Sequence, residues 1–293
     1  MMSLDPVSRI RRFNRIVTAQ VGALDTSFLG RGRPLGAARV LNAIGQGQSD
    51  VLAIRTALDL DSGLMSRLLR SLEEEGLIET TPHPQDARRR VARLTPAGQA
   101  EFEAYERLSN AQAEGFLGRH ARPDELLRAM DLVATALGRA QIVLEEVDPR
   151  SAPAVYCLTE YYAELGRRFR TGFDVALSCD PQAEDMIRPR GVFLVALSDQ
   201  LPIGCVGLKG HGGEVAEIKR LWVAPAARGL GLAHRLMAGA EAVARDLSIQ
   251  VLRLDTNSAL PEAQKLYRST GWQEIPRFND DPYPDTFFEK RIG

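Results

Sequence analysis

The run Arg228–Gly229–Leu230–Gly231–Leu232–Ala233 has residue types and spacing suited to holding an anion. It follows an apolar, strand-like segment from Ile218 to Val223 and a Pro-containing loop, and it opens an amphipathic helical pattern. The first N–H groups of a helix have no partners within the helix, so with the helix dipole they form a site for a group such as a pyrophosphate. Gly229 and Gly231 let the backbone approach the oxygens with no Cβ in the way. The dinucleotide pattern G-x-G-x-x-G fits poorly, because only two glycines are present and the preceding strand is not an early one. A plain glycine-capped strand-to-helix connection is the alternative.

The elements that must carry this loop read as an α/β arrangement. Val192–Leu197 and Ile203–Leu208 are strand-like and joined by the tight connection S-D-Q-L-P, and with Ile218–Val223 they predict an antiparallel sheet. A helix over 231–245, a strand at Leu252–Asn257 and a short helix opened by Pro261 and ended by Gly271 follow. Before them, Ala154–Phe169 has helical spacing and leads into T-G-F-D at Thr171–Asp174. The adjacent Tyr161 and Tyr162, with Arg168, Phe173 and Asp174, are candidates for lining a pocket for a polar small molecule, with Asp174 matched to an amine. An aromatic core beside a glycine turn accounts for the same residues.

The first half reads differently. Residues 6–28 place Val7, Ile10, Phe13, Ile16, Val17 and Val21 at helical spacing, and a second helix covers Leu35–Ile44. Asp50 precedes a short helix, and Asp61 or Ser62 caps a longer one that runs through Glu75 to Gly76. Leu64, Leu68, Leu69 and Leu72 bury one face of that longer helix and leave Ser62, Ser66, Arg67 and Arg70 toward solvent or a ligand. This is a helix-turn-helix, whose second helix enters a DNA major groove. Leu77–Thr81 and Val91–Thr95 are β-prone and flank H-P-Q-D-A-R-R-R, so Arg88, Arg89 and Arg90 are expected at the tip of a wing that reaches phosphates or the minor groove.

The chain has 293 residues, which favours two domains. With 37 Lys+Arg against 38 Asp+Glu, it has no general attraction for polyanions. Every lysine, tryptophan and cysteine lies after residue 150. The three cysteines, Cys157, Cys179 and Cys205, are unevenly spaced, which argues against a disulfide framework or a zinc motif and suits a reducing compartment. No run approaches the roughly 18 apolar residues of a membrane span, and no signal-like apolar region follows Arg9, Arg11 and Arg12. A cytoplasmic protein without membrane association is expected. The segment V-D-P-R-S-A-P-A ends a helical pattern, so domains at 1–146 and 154–293 with a linker at 147–153 are predicted.

The order helix-turn-helix, E-E-E-G-L-I, D-A-R-R-R and L-T-P-A-G resembles the MarR family of winged-helix transcriptional regulators over roughly residues 5–145, with Asp86, Arg88, Leu94, Thr95 and Gly98 on its wing pattern. The resemblance implies a mainly α winged helix-turn-helix domain, double-stranded DNA as partner, and a homodimer held by the first and last helices. Thr80 departs from the pattern, standing where a basic residue often follows G-L-I.

Residues 154–293 resemble the GNAT superfamily of acyl-coenzyme A dependent N-acyltransferases. Arg228–Ala233 matches R/Q-x-x-G-x-G/A, and Asn257, Ala263, Tyr267 and Gly271 match a later motif. The closing stretch Pro276–Arg291 is similar to that of GNAT domains fused behind MarR-like domains. The resemblance implies acetyl-CoA as cosubstrate, no metal, and acyl transfer to a small-molecule amine. Main-chain groups of Leu221, Trp222 and Val223 would hold the pantetheine and thioester, those of Gly229, Leu230, Gly231, Leu232 and Ala233 the pyrophosphate, and Asn257 the pantetheine arm or the chain near Tyr267. Glu217 matches a general-base position, its alternative being an ion pair with Lys219 or Arg220, and Tyr267 matches the general acid. His211 and His234 are weaker candidates for proton transfer. Two other functions fit the same residues: a regulator that senses acyl-CoA or an amine without turnover, and an acetyltransferase that uses its winged helix only to dimerise.

Overall fold

The computed structural model describes residues 5–169, 172–174 and 183–293, so Thr171 and Cys179 lie outside the described residues. The chain divides into two compact units, Met1–Pro123 and Asp124–Gly293.

In the first unit, α1 (Pro6–Gln20) is followed by α2 (Leu35–Gly45), α3 (Val51–Ala57), α4 (Ser62–Glu74), the hairpin β1 (Ile78–His83) and β2 (Asp86–Leu94), and α5 (Pro96–Leu117). The caps follow the local chemistry. Asp50 accepts from the N–H of Ala53 and Asp61 from that of Leu64, so both aspartates start helices. Val40, Leu41, Ile54, Met65, Leu69, Leu72, Ile78 and Ala92 form the core. Met65 takes the fully buried place on α4 that the spacing gave to Leu64, which is only partly buried. Helix α1 stops at Gln20 instead of continuing to residue 28, because Gly22 follows with a φ of 66°. None of its residues is buried.

The wing also differs from expectation. Its strands run on to His83 and from Asp86, leaving a turn at Pro84–Gln85, so Arg88, Arg89 and Arg90 lie within β2 and not in a loop at the tip. Each finds a partner there: Arg88 with Asp86, Arg89 with Asp50, and Arg90 with Glu73 and the hydroxyl of Thr80.

The second unit is built on a seven-stranded sheet of order β3-β4-β5-β6-β7-β9-β8. Its strands are β3 (Val143–Glu146), β4 (Val192–Ser198), β5 (Leu201–Gly210), β6 (Val215–Val223), β7 (Val251–Thr256), β8 (Gln273–Ile275) and β9 (Thr286–Arg291). Its helices are α6 (Pro123–Leu137), α7 (Ala152–Arg168), α8 (Leu232–Asp246) and α9 (Pro261–Ser269). The linker expected at 147–153 therefore falls inside this unit, behind a strand that pairs with β4. β4 buries both faces: Val192, Leu194 and Ala196 join the core under α8, while Phe193 and Val195 join Cys157, Cys205 and Trp222.

Strand β6 departs from regular pairing in two ways. It pairs with β7 in parallel only at Val215–Glu217, and the two strands then part. Against β5, Lys219 pairs with Gly207 and Trp222 with Cys205, so Arg220 and Leu221 together oppose one residue, a β-bulge with Arg220 at a φ of 57°. The extra residue inverts the alternation. Ala216 and Ile218 face the α8 side, Trp222 faces the opposite side, and Leu221 and Val223 pack back toward α8.

Candidate active site and nucleic-acid interface

The glycine loop folds as its spacing predicts. After β6, a 3₁₀ turn at Pro225–Ala227 leads to Gly229 and Gly231, with φ of 77° and 78°, a region that L-residues enter at a cost. Gly231 is the N-cap of α8 and no side chain caps that helix. A cleft of about 440 Å³ opens over this end, lined by Leu221, Trp222, Val223, Arg228, Gly229, Gly231, Leu232, Ala233 and His234 with Glu164, Arg168 and Glu262. Leu230 is not among its lining residues.

Arg228, though exposed, is tied to its own unit. Its Nε donates to the carbonyl of Val223 at 3.1 Å and its Nη2 to Glu164 at 2.6 Å. Glu164, on α7, also accepts from Trp222 Nε1 at 3.2 Å and from Arg168. Arg168 in turn pairs with Glu262 on α9 and donates to the carbonyl of Ala259 at 2.8 Å. The structure thus places Arg168 on the glycine-loop cleft and not with Tyr162 and Phe173, because two carboxylates and a carbonyl hold it there.

A second cavity adjoins the first, and Tyr161, Leu165, Leu221, Leu260 and Ala263 line both. Into it the structure brings Tyr162, Phe173, Asn257 and Tyr267, together with Lys219, Arg220, Asp255, Asp281 and Tyr283. Tyr162 stacks on Phe173 with ring centroids 5.7 Å apart, and Phe173 lies 4.6 Å from Tyr283, so one wall is aromatic. Asp174 is exposed and does not line the cavity; its N–H donates to the Tyr283 hydroxyl at 2.8 Å. Asn257 spends its amide inside the chain, donating to the carbonyl of Tyr283 at 2.6 Å and accepting from the N–H of Ala259 at 2.8 Å.

Tyr267 is buried on α9 against Phe288 and Trp272. Burial pushes its phenol well above the ordinary tyrosine range, and the charge of Asp255 pushes it further. Glu217 is not brought to this cavity. It lines a neighbouring groove with His211, Arg253 and Phe278, and Lys219 stands between, its Nζ 3.1 Å from Glu217 and 2.7 Å from Asp255. Burial alone would lower the Lys219 pKa; the two carboxylates override it and hold the ammonium charged. His234 lines the glycine-loop cleft, whereas His211 lies beside Asp185 and Glu217. Sequence reasoning missed Asp255, Lys219 and Glu164 as site residues, whereas Tyr161, expected with Tyr162 at a pocket, lines both cavities. Asp255 carries a usable signal, standing two positions before Asn257 on an alternating strand.

On the first unit, Ser62, Ser66, Arg67 and Arg70 are exposed along α4. The Ser66 hydroxyl donates to the carbonyl of Ser62 at 2.8 Å. Thr80, lacking a positive charge of its own, receives the guanidinium of Arg90 from the facing strand. Among the described residues, no group of His, Cys, Asp and Glu could hold a metal ion, and no helix is long and apolar enough to cross a membrane.

Residues 158–272 match the acetyltransferase (GNAT) family and residues 31–89 match the MarR family. An uncharacterized N-acetyltransferase of Schizosaccharomyces pombe is 32% identical over 102 residues, which cover 34% of this chain and 63% of that protein, less than two thirds of its length. The uncharacterized N-acetyltransferase YjgM of Escherichia coli is 27% identical over 141 residues, 45% of this chain and 83% of that protein. A GNAT-family acetyltransferase structure from Staphylococcus aureus superposes with a TM-score of 0.46 at 19% identity, covering 52% of this chain and 99% of that one. The chain joins a MarR-family domain to a GNAT acetyltransferase-family domain.

Proposed function

We propose that the protein is both a DNA-binding regulator and an acetyl-CoA dependent N-acetyltransferase that acts on a small-molecule amine by direct transfer. The observation that carries this reading is the pair of adjoining cavities at the parting of β6 from β7, one with the anion-binding glycine loop and the other with Tyr267.

The residues fit acetyl-CoA. Gly229, Gly231 and the uncapped start of α8 suit the pyrophosphate, and residues 218–223, which have no β7 partner, suit the pantetheine. When bound, the cosubstrate supplies an activated acetyl thioester. The chain's own residues orient the amine and manage protons. Tyr267 keeps its hydroxyl proton across the physiological range and presents it to the departing sulfur. The base is a carboxylate of the Glu217–Lys219–Asp255 series. The aromatic wall of Tyr162, Phe173 and Tyr283 receives the body of the amine.

For the first unit, Arg67 and Arg70 on α4 support entry into a major groove, and Arg88 and Arg90 on the wing support phosphate contact. Val7, Ile10, Phe13, Ile16 and Val17 on α1 are exposed, which supports a homodimer in which a second copy covers them.

The test is release of free CoA from acetyl-CoA by the full-length protein across amino acids, polyamines and aminated metabolites, with Tyr267→Phe alongside. Amine-dependent release that falls about 100-fold in the variant, with acetyl-CoA binding retained, supports catalysis with Tyr267 as acid. Tight binding without release from any amine points to a sensing domain.

A further inference from the structure

We propose that Asp255, and not Glu217, is the catalytic carboxylate that receives the substrate's ammonium group and takes its proton. This rests on the acetyl-transfer reading and names the amine subsite within it.

The geometry of Asp255 carries the inference. It sits on β7 where that strand has parted from β6, and its side chain is 12% exposed in the cavity that holds Tyr267. Two donors fix it from different elements: Lys219 Nζ at 2.7 Å from β6, and Asn279 Nδ2 at 2.6 Å from the loop before β9. Both bonds end on Oδ2. Among the described residues no hydrogen bond reaches Oδ1, nor the hydroxyls of Tyr267 and Tyr161, which line the same cavity. A mostly buried carboxylate held by one oxygen, with the other unspent in a cavity that two unspent phenols also line, is placed to take a ligand's donor. An alkylammonium supplies that donor and the charge to match. Glu217 has no such access, since it lines the neighbouring groove and spends its carboxylate on Lys219 and near His211. Its part is to help hold Lys219 charged, so that Lys219 keeps Asp255 in position.

The proton balance closes on these residues. An N–H bond of the ammonium breaks, its proton moves to Asp255 Oδ1, and the electron pair stays on nitrogen. Nitrogen then bonds to the thioester carbonyl carbon and the C–S bond breaks. Sulfur takes the proton held by Tyr267, Tyr267 regains one from the newly acylated nitrogen, and Asp255 releases its proton to solvent. The two steps assist each other. The negative charge of Asp255 holds the Tyr267 proton more tightly, so protonating Asp255 removes that charge and makes Tyr267 a readier donor.

The experiment measures acetyl transfer to the best amine of the panel by the wild-type protein and by Asp255→Asn, Asp255→Glu and Glu217→Gln, with acetyl-CoA binding followed by calorimetry. Asp255→Asn is expected to lower kcat at least 100-fold with acetyl-CoA affinity within about threefold of wild type. Asp255→Glu should restore part of that loss, and Glu217→Gln should cost less than tenfold. If Asp255→Asn does not fold, the paired change Lys219→Met with Asp255→Asn removes both charges of the buried pair together and carries the same expectation. Retention of transfer within tenfold in the Asp255→Asn or paired variant, or a larger loss in Glu217→Gln, overturns the role of Asp255 while leaving acetyl transfer intact. A wild-type protein that releases CoA with no amine overturns the acetyl-transfer reading and this role together.

Discussion

Glu164 Oε2 and Arg228 Nη2 lie 2.6 Å apart and join helix α7 to the glycine loop. The same carboxylate oxygen accepts from Trp222 Nε1, so one side chain ties the loop to the strand that precedes it. Replacing Glu164 by Ala leaves a mostly buried indole N–H without its acceptor, which costs about 1–3 kcal/mol, and it frees Arg228. We expect Glu164→Ala to raise the KM for acetyl-CoA about tenfold with kcat within threefold. Glu164→Gln, which keeps an acceptor oxygen, should lie between. Steady-state kinetics with acetyl-CoA varied at saturating amine checks this, and a fall confined to kcat would place Glu164 elsewhere in the cycle.

The arginines proposed to contact DNA separate into two groups. Arg67 and Arg70 are exposed on α4 and form no ion pair among the described residues, whereas Arg89 is paired with Asp50, the N-cap of α3. Arg67→Ala and Arg70→Ala should each weaken binding to duplex DNA and lower the slope of log K against log salt by about one. Arg89→Ala should act mainly through the Asp50 cap and lower the stability of the first unit more than the salt slope. Fluorescence anisotropy over a salt series, with thermal melts, distinguishes the two.

What was legible in the chain depends on how local each signal is. The glycine loop, the caps Asp50 and Asp61, and Pro261 at the start of α9 depend on neighbours a few residues away, and all are where their spacing puts them. Strand extents were not local. β2 begins at Asp86 because its arginines find partners on three other segments, and β3 exists only because β4 offers an edge 50 residues later in the chain. The two candidate carboxylates are told apart by contacts of the same distant kind. Glu217 and Asp255 are both acidic residues on strands, and only the parting of β6 from β7 and the Lys219 side chain between them decide which one faces Tyr267. Arg168, expected in a pocket with Tyr162 and Phe173, lines the glycine-loop cleft instead, because Glu262, distant in sequence, pairs with it.

Acid should weaken the first unit in a definite range. Glu101, almost fully buried on α5, accepts from Arg31 and Arg33, and these bonds, with Arg31 foremost, hold its pKa below the ordinary glutamate value against the opposing effect of burial. A carboxylate depressed in the folded state gives stability that is present above its unfolded pKa, about 4.3. That contribution is lost as the pH falls through the lower folded pKa. Urea midpoints of the first unit should therefore fall between about pH 5 and pH 3 in the wild type and change less in Glu101→Gln, which starts from a lower stability at pH 7. Parallel slopes in the two proteins would assign the acid sensitivity to other carboxylates.

Gly98, in the first turn of α5, shows how tightly the wing is seated on that helix. A Cβ built there would lie 1.8 Å from the carbonyl oxygen of Leu77, the same oxygen that accepts from the N–H of Thr95 at 3.0 Å. Backbone on both sides must move to admit a methyl group, and overpacking of this kind costs about 1–3 kcal/mol or more. Gly115, farther along α5, has nothing within 4 Å of the corresponding position, so Gly115→Ala should stabilise the helix by up to about 1 kcal/mol. We expect Gly98→Ala to lower the Tm of the first unit and Gly115→Ala to raise it slightly, as read by calorimetry on the full chain. Equal effects would mean that β1 and α5 part easily, and would remove the close seating of Leu77 on α5 as a determinant of the wing's position.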